Sequence, residues 1–251
     1  MPSTFIIQGC QMDVRLGSAA DAFQLSSASL QLFDTVVILA LVPLSTSALY
    51  PLLARLRKRG KGAPTNLEKI GAGLLCSSLA MVVAGFVEIA RKGSGVLRVD
   101  GAVVPSNCDA ALPLSALSVW WQSPQYLLIG FGEVLASISA MDFFYAEAPE
   151  SMRSVCQALN LFTVSLGSMV AAGVNMCLSG WISNDLNDGH LERVFFVVAA
   201  ICGLLLAGFV RVAPGYVYKA RATAAARARI ELVEGGATKE APVAGTEIAE
   251  N

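Results

Sequence analysis

The chain has 251 residues, of which 55% are hydrophobic and only 15% are charged, and its mean hydropathy is +0.59. A soluble domain has about 25% charged residues, and the charge deficit here is concentrated in long apolar blocks, so the composition predicts an integral membrane protein. The net charge of −1 gives no basis for nucleic-acid binding.

The first 27 residues contain one short apolar cluster, Phe5-Ile6-Ile7. This cluster is far shorter than the apolar core of a signal peptide or a membrane span. Residues 1–27 therefore resemble the end of a longer element, and we expect the natural chain to continue upstream of Met1.

Five apolar blocks follow, and each is long enough to cross a bilayer as a helix, since about 20 helical residues cover about 30 Å. In the first block, Asp34 precedes Pro43, which predicts a bend in the helix. Thr65 or Asn66 is the predicted N-cap of the second block, and residues 93–115 are predicted to form a loop. The predicted spans are about 29–53, 70–89, 116–146, 151–178 and 194–212.

Lysine and arginine residues set the predicted orientation of these spans, because cytoplasmic connections carry an excess of both. Most of them fall between the first and second blocks and after the fifth block. The C-terminus is therefore predicted to be cytoplasmic and residues 1–27 to be outside. The tail, 219–251, is predicted to be partly disordered.

The cysteines and the single histidine give no support for an enzyme. The six cysteines form no CxxC pair, and only Cys108 is clearly outside the apolar blocks, so the sequence predicts neither a disulfide nor a zinc site. His190 lies in a polar connection, and we find no Ser-His-Asp set, metal cluster or phosphate-binding loop. Glu88, beside Arg91 and Lys92, is predicted to be a solvated interfacial charge.

The third block contains a carboxylate, Glu133, with no neutralising residue nearby in the sequence. Placing such a charge in hydrocarbon costs roughly 2.5 to 10 kcal/mol, depending on the reference state. A chain tolerates that cost when the group faces a partner, a water-filled cavity or a ligand. The alternative is a carboxylate that only joins two helices.

The residues around Glu133 also carry a family resemblance. The stretch from Trp121 to Ser154 reads WQSPQYLLIGFGEVLASISAMDFFYAEAPESMRS. It resembles the signature of the proton-dependent oligopeptide transporters, in particular the plant-type nitrate/peptide branch. The stretches TFIIQGCQMD, SLQLFDTVVILALVPL, SVCQALNLFTVSLGS and LNDGHLERVFF resemble other helices of that family in the same order, and the match covers about residues 3–219.

The resemblance implies an all-α membrane protein that forms the C-terminal six-helix half of a major-facilitator bundle. Residues 1–27 would then be the end of the seventh helix with its external connection, and 28–218 a bundle of five complete helices. The family's N-terminal E-x-x-E-R motif and its first-helix arginine are absent from this sequence. The implied partners are the bilayer, a missing N-terminal half, and a small-molecule or peptide substrate. No cofactor is implied, with protons as the coupling ion.

The resemblance also assigns roles to individual residues. Glu133 matches the tenth-helix glutamate that meets substrate and takes part in proton coupling, and Asp34 matches a polar position facing the cavity. Asn160 corresponds to a further cavity position. Asp142 and Arg153 would form a gate or a helix-end ion pair.

Two departures from the family pattern limit these assignments. Ile6 stands where peptide transporters have an acid, so Glu133 is the expected titrating group of this half. Asp142 replaces the glutamate that usually precedes the FFY motif.

The leading hypothesis is therefore the C-terminal half of a proton-coupled transporter of small peptides, nitrate or related solutes, in the plasma membrane or an organelle membrane. The alternative is a truncated, non-transporting membrane protein that binds or regulates a partner transporter. The substrate stays open, because selectivity depends on both halves.

Overall fold

In a computed structural model, the described part of the protein is all-α apart from one two-stranded hairpin. Contacts divide the chain into two units, Met1–Arg211 and Val212–Asn251. In the second unit, the described part contains a 3₁₀ turn at Ala213–Gly215 and an edge-to-face pair of Tyr216 and Tyr218. The structure describes residues 2–15, 23–24, 29–45, 47, 64–106, 108–109, 111–183 and 185–218.

Seven α-helices form the described part of the molecule, and short 3₁₀ and π segments extend several of them. The α-helices are α1 (Pro2–Cys10), α2 (Ser29–Leu44), α3 (Asn66–Gly93), α4 (Ser123–Glu133), α5 (Ser139–Glu147), α6 (Arg153–Cys177) and α7 (Leu191–Val212). The hairpin pairs β1 (Arg98–Val99) with β2 (Ala102–Val103).

Four helical stretches in the described part are long and apolar enough to cross a membrane. They are Asn66–Gly93, Val119–Glu147, Glu150–Cys177 and Leu191–Gly215. The first predicted block, 29–53, contains α2, and its residues 48–53 lie outside the described residues. The predicted tail, 219–251, also lies outside them.

Helix α3 begins with a capping box, as the sequence predicted for one of its two candidate caps. The Thr65 side chain accepts a hydrogen bond from the Glu68 amide at 3.3 Å, and the Glu68 carboxylate accepts one from the Thr65 amide at 2.8 Å. Two amides at the helix start are thereby satisfied, which stabilises the first turn by about 1 kcal/mol.

Helix α3 contacts α4 through one face and α7 through another, and small residues allow both contacts. A Cβ atom on Gly85 would lie 2.8 Å from the Phe196 ring of α7. The Ser78 hydroxyl of α3 donates to the Ala199 carbonyl of α7 at 3.3 Å. The main buried cluster joins α1, α3, α4 and α7 around Phe5, Met81, Tyr126 and Phe195. Short α1 is therefore held by packing against three longer helices.

The connection after α3 is more ordered than a plain loop. The hairpin turns at Asp100 and Gly101, both with positive φ, and bridges pair Val96 with Ser115 and Pro105 with Pro113. The prediction of a loop over 93–115 missed this short pairing, because two-residue strands leave no periodic pattern.

A disulfide joins this connection to the end of α1, and the prediction that no disulfide forms was wrong. Cys10 and Cys108 are bonded, across a sequence separation of 98 residues. The predicted orientation places both cysteines on the outer side, but nothing in the sequence shows that two thiols 98 positions apart meet there. The bond fixes α1 to the connection that leads into α4.

The prediction of a solvated Glu88 was also wrong, since Glu88 and Arg91 form a fully buried ion pair. Both side chains have 0% exposure, and Arg91 Nη2 lies 2.7 Å from Glu88 Oε1. Arg91 also donates to Asn187 at 3.1 Å, which fastens the connection before α7 to α3. A buried charge with its partner removed is strongly destabilising, so this pair must remain intact for the end of α3 to stay packed.

The disulfide predicts a measurable loss of stability on its removal. Replacing Cys10 by serine is expected to lower the free energy of unfolding by about 2–5 kcal/mol, because a long loop of the unfolded chain is no longer closed. Thermal unfolding in detergent micelles measures the change, and Cys177→Ser, at an exposed free thiol, is the control. A non-reducing digest without a Cys10–Cys108 peptide would contradict the assignment.

The buried ion pair predicts a second, larger effect. Arg91→Met is expected to lower the free energy of unfolding by about 3–5 kcal/mol, since it leaves the Glu88 carboxylate buried without its partner. The double variant Glu88→Gln/Arg91→Met should lose less than the sum of the two single variants. Glu150→Gln, whose side chain is 89% exposed, is the control. Additive losses in this cycle would rule out the coupling.

Candidate functional site

Glu133 lies at the middle of a membrane-spanning helix. The span runs from Val119 to Glu147, so Glu133 is fourteen residues from either end. At a rise of 1.5 Å per residue, the carboxylate is about 21 Å from each end of the helix. This is the depth at which an ionised side chain is least favourable.

The helix changes its hydrogen-bonding pattern directly after this residue. The span begins as a 3₁₀ turn at Val119–Gln122, continues as α4, and becomes a π-helix at Val134–Ile138 before α5. A π segment places one extra residue in a turn and is frequent at functional sites. Glu133 is the last residue of α4, and the backbone geometry therefore changes just after it.

Two glycines bring α3 and α4 into backbone contact beside Glu133. A Cβ atom on Gly132 would lie 2.5 Å from Ser77 Oγ and 3.0 Å from the Gly73 carbonyl oxygen. A Cβ atom on Gly73 would lie 2.8 Å from both the Ala136 amide nitrogen and the Gly132 carbonyl oxygen. Real Cβ atoms do not approach backbone atoms as closely as 2.8 Å, so Gly73 requires glycine for this packing, and a side chain at Gly132 would have to move the Ser77 hydroxyl.

The Glu133 side chain is exposed, while its neighbours Gly132 and Val134 are buried. Within the described part of the chain, Glu133 forms no ion pair or side-chain hydrogen bond. An exposed carboxylate at this depth would be costly against lipid. Its exposed side must therefore meet water, a ligand or protein when the chain is in a membrane.

Asp34 lies on α2, which packs against α4, the helix that carries Glu133. The structure thus brings the two predicted helices together. The side chain of Asp34 lies outside the described residues, so no distance joins the two carboxylates. Pro43 lies one residue before the end of α2.

Asn160 is the buried position of a mostly exposed helix. It is 7% exposed and is the one buried residue among the described side chains of α6. Its carbonyl oxygen accepts a hydrogen bond from the Thr163 hydroxyl at 2.7 Å. No hydrogen bond connects Asn160 to Glu133 in the described part of the molecule.

Asp142 and Arg153 do not form the predicted ion pair in the described structure. Asp142 is exposed on α5. Arg153 lies 3.9 Å from Glu150 and its guanidinium stacks 4.7 Å from the centre of the Tyr145 ring. Glu150 begins the 3₁₀ turn that directly precedes Arg153, whereas Asp142 lies before the end of α5.

Sequence reasoning missed a buried amide cluster that links α1, α3 and α4. The Gln8 side chain donates to Glu88 Oε2 at 3.0 Å and accepts from Gln122 at 3.2 Å and from Gln125 at 3.1 Å. All of these side chains have 0% exposure. The sequence signal for this cluster was the presence of glutamines at the edges of apolar blocks. Because buried amides require hydrogen-bond partners, such glutamines are expected to meet one another.

A separate apolar groove lies between α6 and α7. It has a volume of about 450 Å³ and is lined by residues such as Leu166, Val170 and Leu205. Among the described residues, no charged side chain lines it, and its polar side chains are Thr163 and Asn175. A charged solute would lose its hydration there without an opposite charge, so the groove does not suit the role predicted for Glu133.

Comparison with known proteins identifies the family. A model described as the POT family matches residues 1–188. The chain belongs to the POT family. This membership makes it a transporter-family membrane protein and not an enzyme, and it confirms the resemblance seen in the sequence.

Its relatives include plant proteins. The chain is 37% identical to Protein NRT1/PTR FAMILY 8.1 of Arabidopsis thaliana over 228 residues, which is 87% of this chain and 38% of the relative. It is 35% identical to Protein NRT1/PTR FAMILY 7.2 of the same plant, over 84% of this chain and 35% of that protein. The chain therefore spans little more than a third of the length of these relatives.

A solved structure shares the fold. The crystal structure of an auto-inhibited POT family peptide transporter matches with a TM-score of 0.58 at 23% identity. The match covers 86% of this chain and 38% of that chain. The all-α membrane fold expected from the sequence, part of a larger transporter bundle, is confirmed.

Proposed function

We propose that this chain forms the C-terminal half of a proton-coupled secondary transporter of small peptides, nitrate or related solutes. The observation that supports this most is an exposed carboxylate, Glu133, at the middle of a membrane span. Family membership favours transport over a non-transporting membrane protein that regulates a partner. In the complete protein, Glu133 faces a wet central cavity.

The remaining cavity wall comes from an N-terminal half. The chain spans 38% of Protein NRT1/PTR FAMILY 8.1, which leaves room for a partner of comparable size or larger. Related transporter folds place their binding sites between two such halves, near the middle of the bilayer. The depth of Glu133 fits that position. The distribution of lysine and arginine supports a cytoplasmic C-terminus.

The charge of the site determines what each substrate class would require. The ammonium group of a peptide is complementary to an ionised Glu133. A charged hydrogen bond between them compensates both groups for the hydration that they lose on binding. Nitrate would be repelled by the same carboxylate, so it needs Glu133 protonated. In both cases, the proton and the substrate compete for or share one carboxylate, which is the physical basis of the proposed coupling.

Asp34 and Asn160 are the proposed additional cavity residues. Asp34 lies on a helix packed against α4, and Asn160 supplies a buried amide on α6. Asp142 and Arg153 are assigned to the cytoplasmic helix end. There the contacts of Arg153 with Tyr145 and Glu150 would contribute about 0–1 kcal/mol.

A chimera tests the proposal. The N-terminal part of Protein NRT1/PTR FAMILY 8.1 is joined to this chain where the similarity begins, and uptake of dipeptide and of nitrate is measured against external pH. Glu133→Gln is expected to weaken dipeptide uptake about 10-fold to 100-fold, because a charged hydrogen bond contributes about 1.5–3 kcal/mol. Nitrate uptake should persist, because glutamine is neutral like the protonated carboxyl group. The pH dependence should flatten as well.

The matched control is Asp100→Asn, which removes a carboxylate from the exposed hairpin turn, where asparagine tolerates the positive φ. It should leave uptake unchanged. If the Glu133→Gln chimera transports like the parent, with the same pH dependence, Glu133 has no coupling role and the proposal fails.

A further inference from the structure

The contact between α3 and α4 has a consequence for the direction of the Glu133 side chain. We propose that Gly73 and Gly132 are positioning residues for transport, because their backbone contact aims the Glu133 carboxylate into the cavity. This inference rests on the proposed function of Glu133. It concerns two residues that touch neither substrate nor proton.

The contact fixes the separation of the two helices. At Gly73, the atoms nearest to an added Cβ are the Ala136 amide nitrogen and the Gly132 carbonyl oxygen, both of them backbone atoms. Backbone atoms within helices cannot rotate away as a side chain can. A methyl group at Gly73 would therefore displace α4 by about 0.6 Å or turn it about its axis, since ordinary contact begins near 3.4 Å. A methyl group at Gly132 would first meet Ser77 Oγ at 2.5 Å and then the Gly73 carbonyl oxygen at 3.0 Å.

The contact also fixes the rotation of α4. Successive residues in a helix are turned by about 100°. With Gly132 pressed against Gly73 and Ser77, the next residue is turned by about 100° from this contact and lies on the exposed side. Glu133 is that residue, so the rotation that seats Gly132 is the rotation that exposes the carboxylate.

The contact extends over one turn of the helix and reaches the π segment. Gly132 lies in α4 and Ala136 lies in the π-helix, yet both backbones touch Gly73. The Ser77 hydroxyl donates to the Gly73 carbonyl at 3.1 Å and fills the space beside Gly132. Contacts on both sides of Glu133 therefore hold the helix at the point where its geometry changes.

The proposal predicts a binding defect with an altered proton response. In the chimera, Gly132→Ala and Gly73→Ala are each expected to raise the KM for substrate about 10-fold, since a misplacement of about 1 Å costs about 100-fold and the displacement here is about half of that. The pH of half-maximal uptake should shift as well. A defect in folding alone would lower the amount of transporter and the maximal rate, but not these two quantities.

Gly208→Ala is the matched control, since a Cβ atom at this helical glycine of α7 meets no atom within 4 Å. The double variant Gly132→Ala/Ser77→Ala provides a rescue. It removes Ser77 Oγ, the nearest atom to the new methyl group, and should recover part of the lost affinity. If Gly132→Ala does not fold, the measurements are made on this double variant instead.

A second measurement uses the chain itself in lipid nanodiscs. Glu133 is modified with a carbodiimide at several pH values, and mass spectrometry gives the rate of modification. This rate reports how accessible the protonated carboxyl group is. Gly132→Ala should change the rate of modification at least about threefold, as a displaced reacting group does, while Gly208→Ala should leave it unchanged.

The outcomes separate the two proposals. If Glu133→Gln leaves uptake and its pH dependence intact, the proposed function fails and the positioning role fails with it. If Glu133→Gln impairs uptake, but Gly132→Ala in a folded protein leaves KM, pH profile and modification rate unchanged, only the positioning role is overturned. Loss of maximal rate alone would also overturn it.

Discussion

An ionised side chain within a bilayer must be paired or hydrated, and this constraint explains the two carboxylates that matter most in the described spans. Glu88 is paired: it lies against Arg91 with no exposed surface and accepts a hydrogen bond from the Gln8 amide. Glu133 is exposed at the middle of its span. The cost of placing a charge in the bilayer is offset at Glu88 by a buried ion pair and, as we propose, at Glu133 by an aqueous cavity.

The two solutions divide the half-bundle into regions with different tasks. Near the Cys10–Cys108 disulfide, the buried amides and the ion pair join α1, α3 and α4 into one rigid end. Further along α4, packing takes over from hydrogen bonding, and the glycine contact with α3 sets the direction of Glu133. Rigidity at one end therefore supports accurate placement of a carboxylate in the middle.

The sequence predicted the family, the membrane class and the apolar blocks because each of these depends on local pattern. Long apolar runs predict membrane spans whatever the tertiary fold, and the motif around Glu133 is contiguous along the chain. The cap at Thr65 was also accessible, since a capping box involves residues three apart. Depth in the membrane follows from counting residues along the span, so the sequence by itself determined that Glu133 would be near the centre.

Only the tertiary structure decided which residues meet. The disulfide joins residues 98 positions apart, Gln8 meets Gln122, and Arg153 contacts Tyr145 and Glu150 where a pair with Asp142 was expected. Glu88 and Arg91 look like an interfacial pair in sequence, and burial depends on α1 and the 185–187 connection covering them. Which face of α4 is exposed likewise depends on Gly73, 59 positions before Gly132, because helix rotation is set by what packs against it.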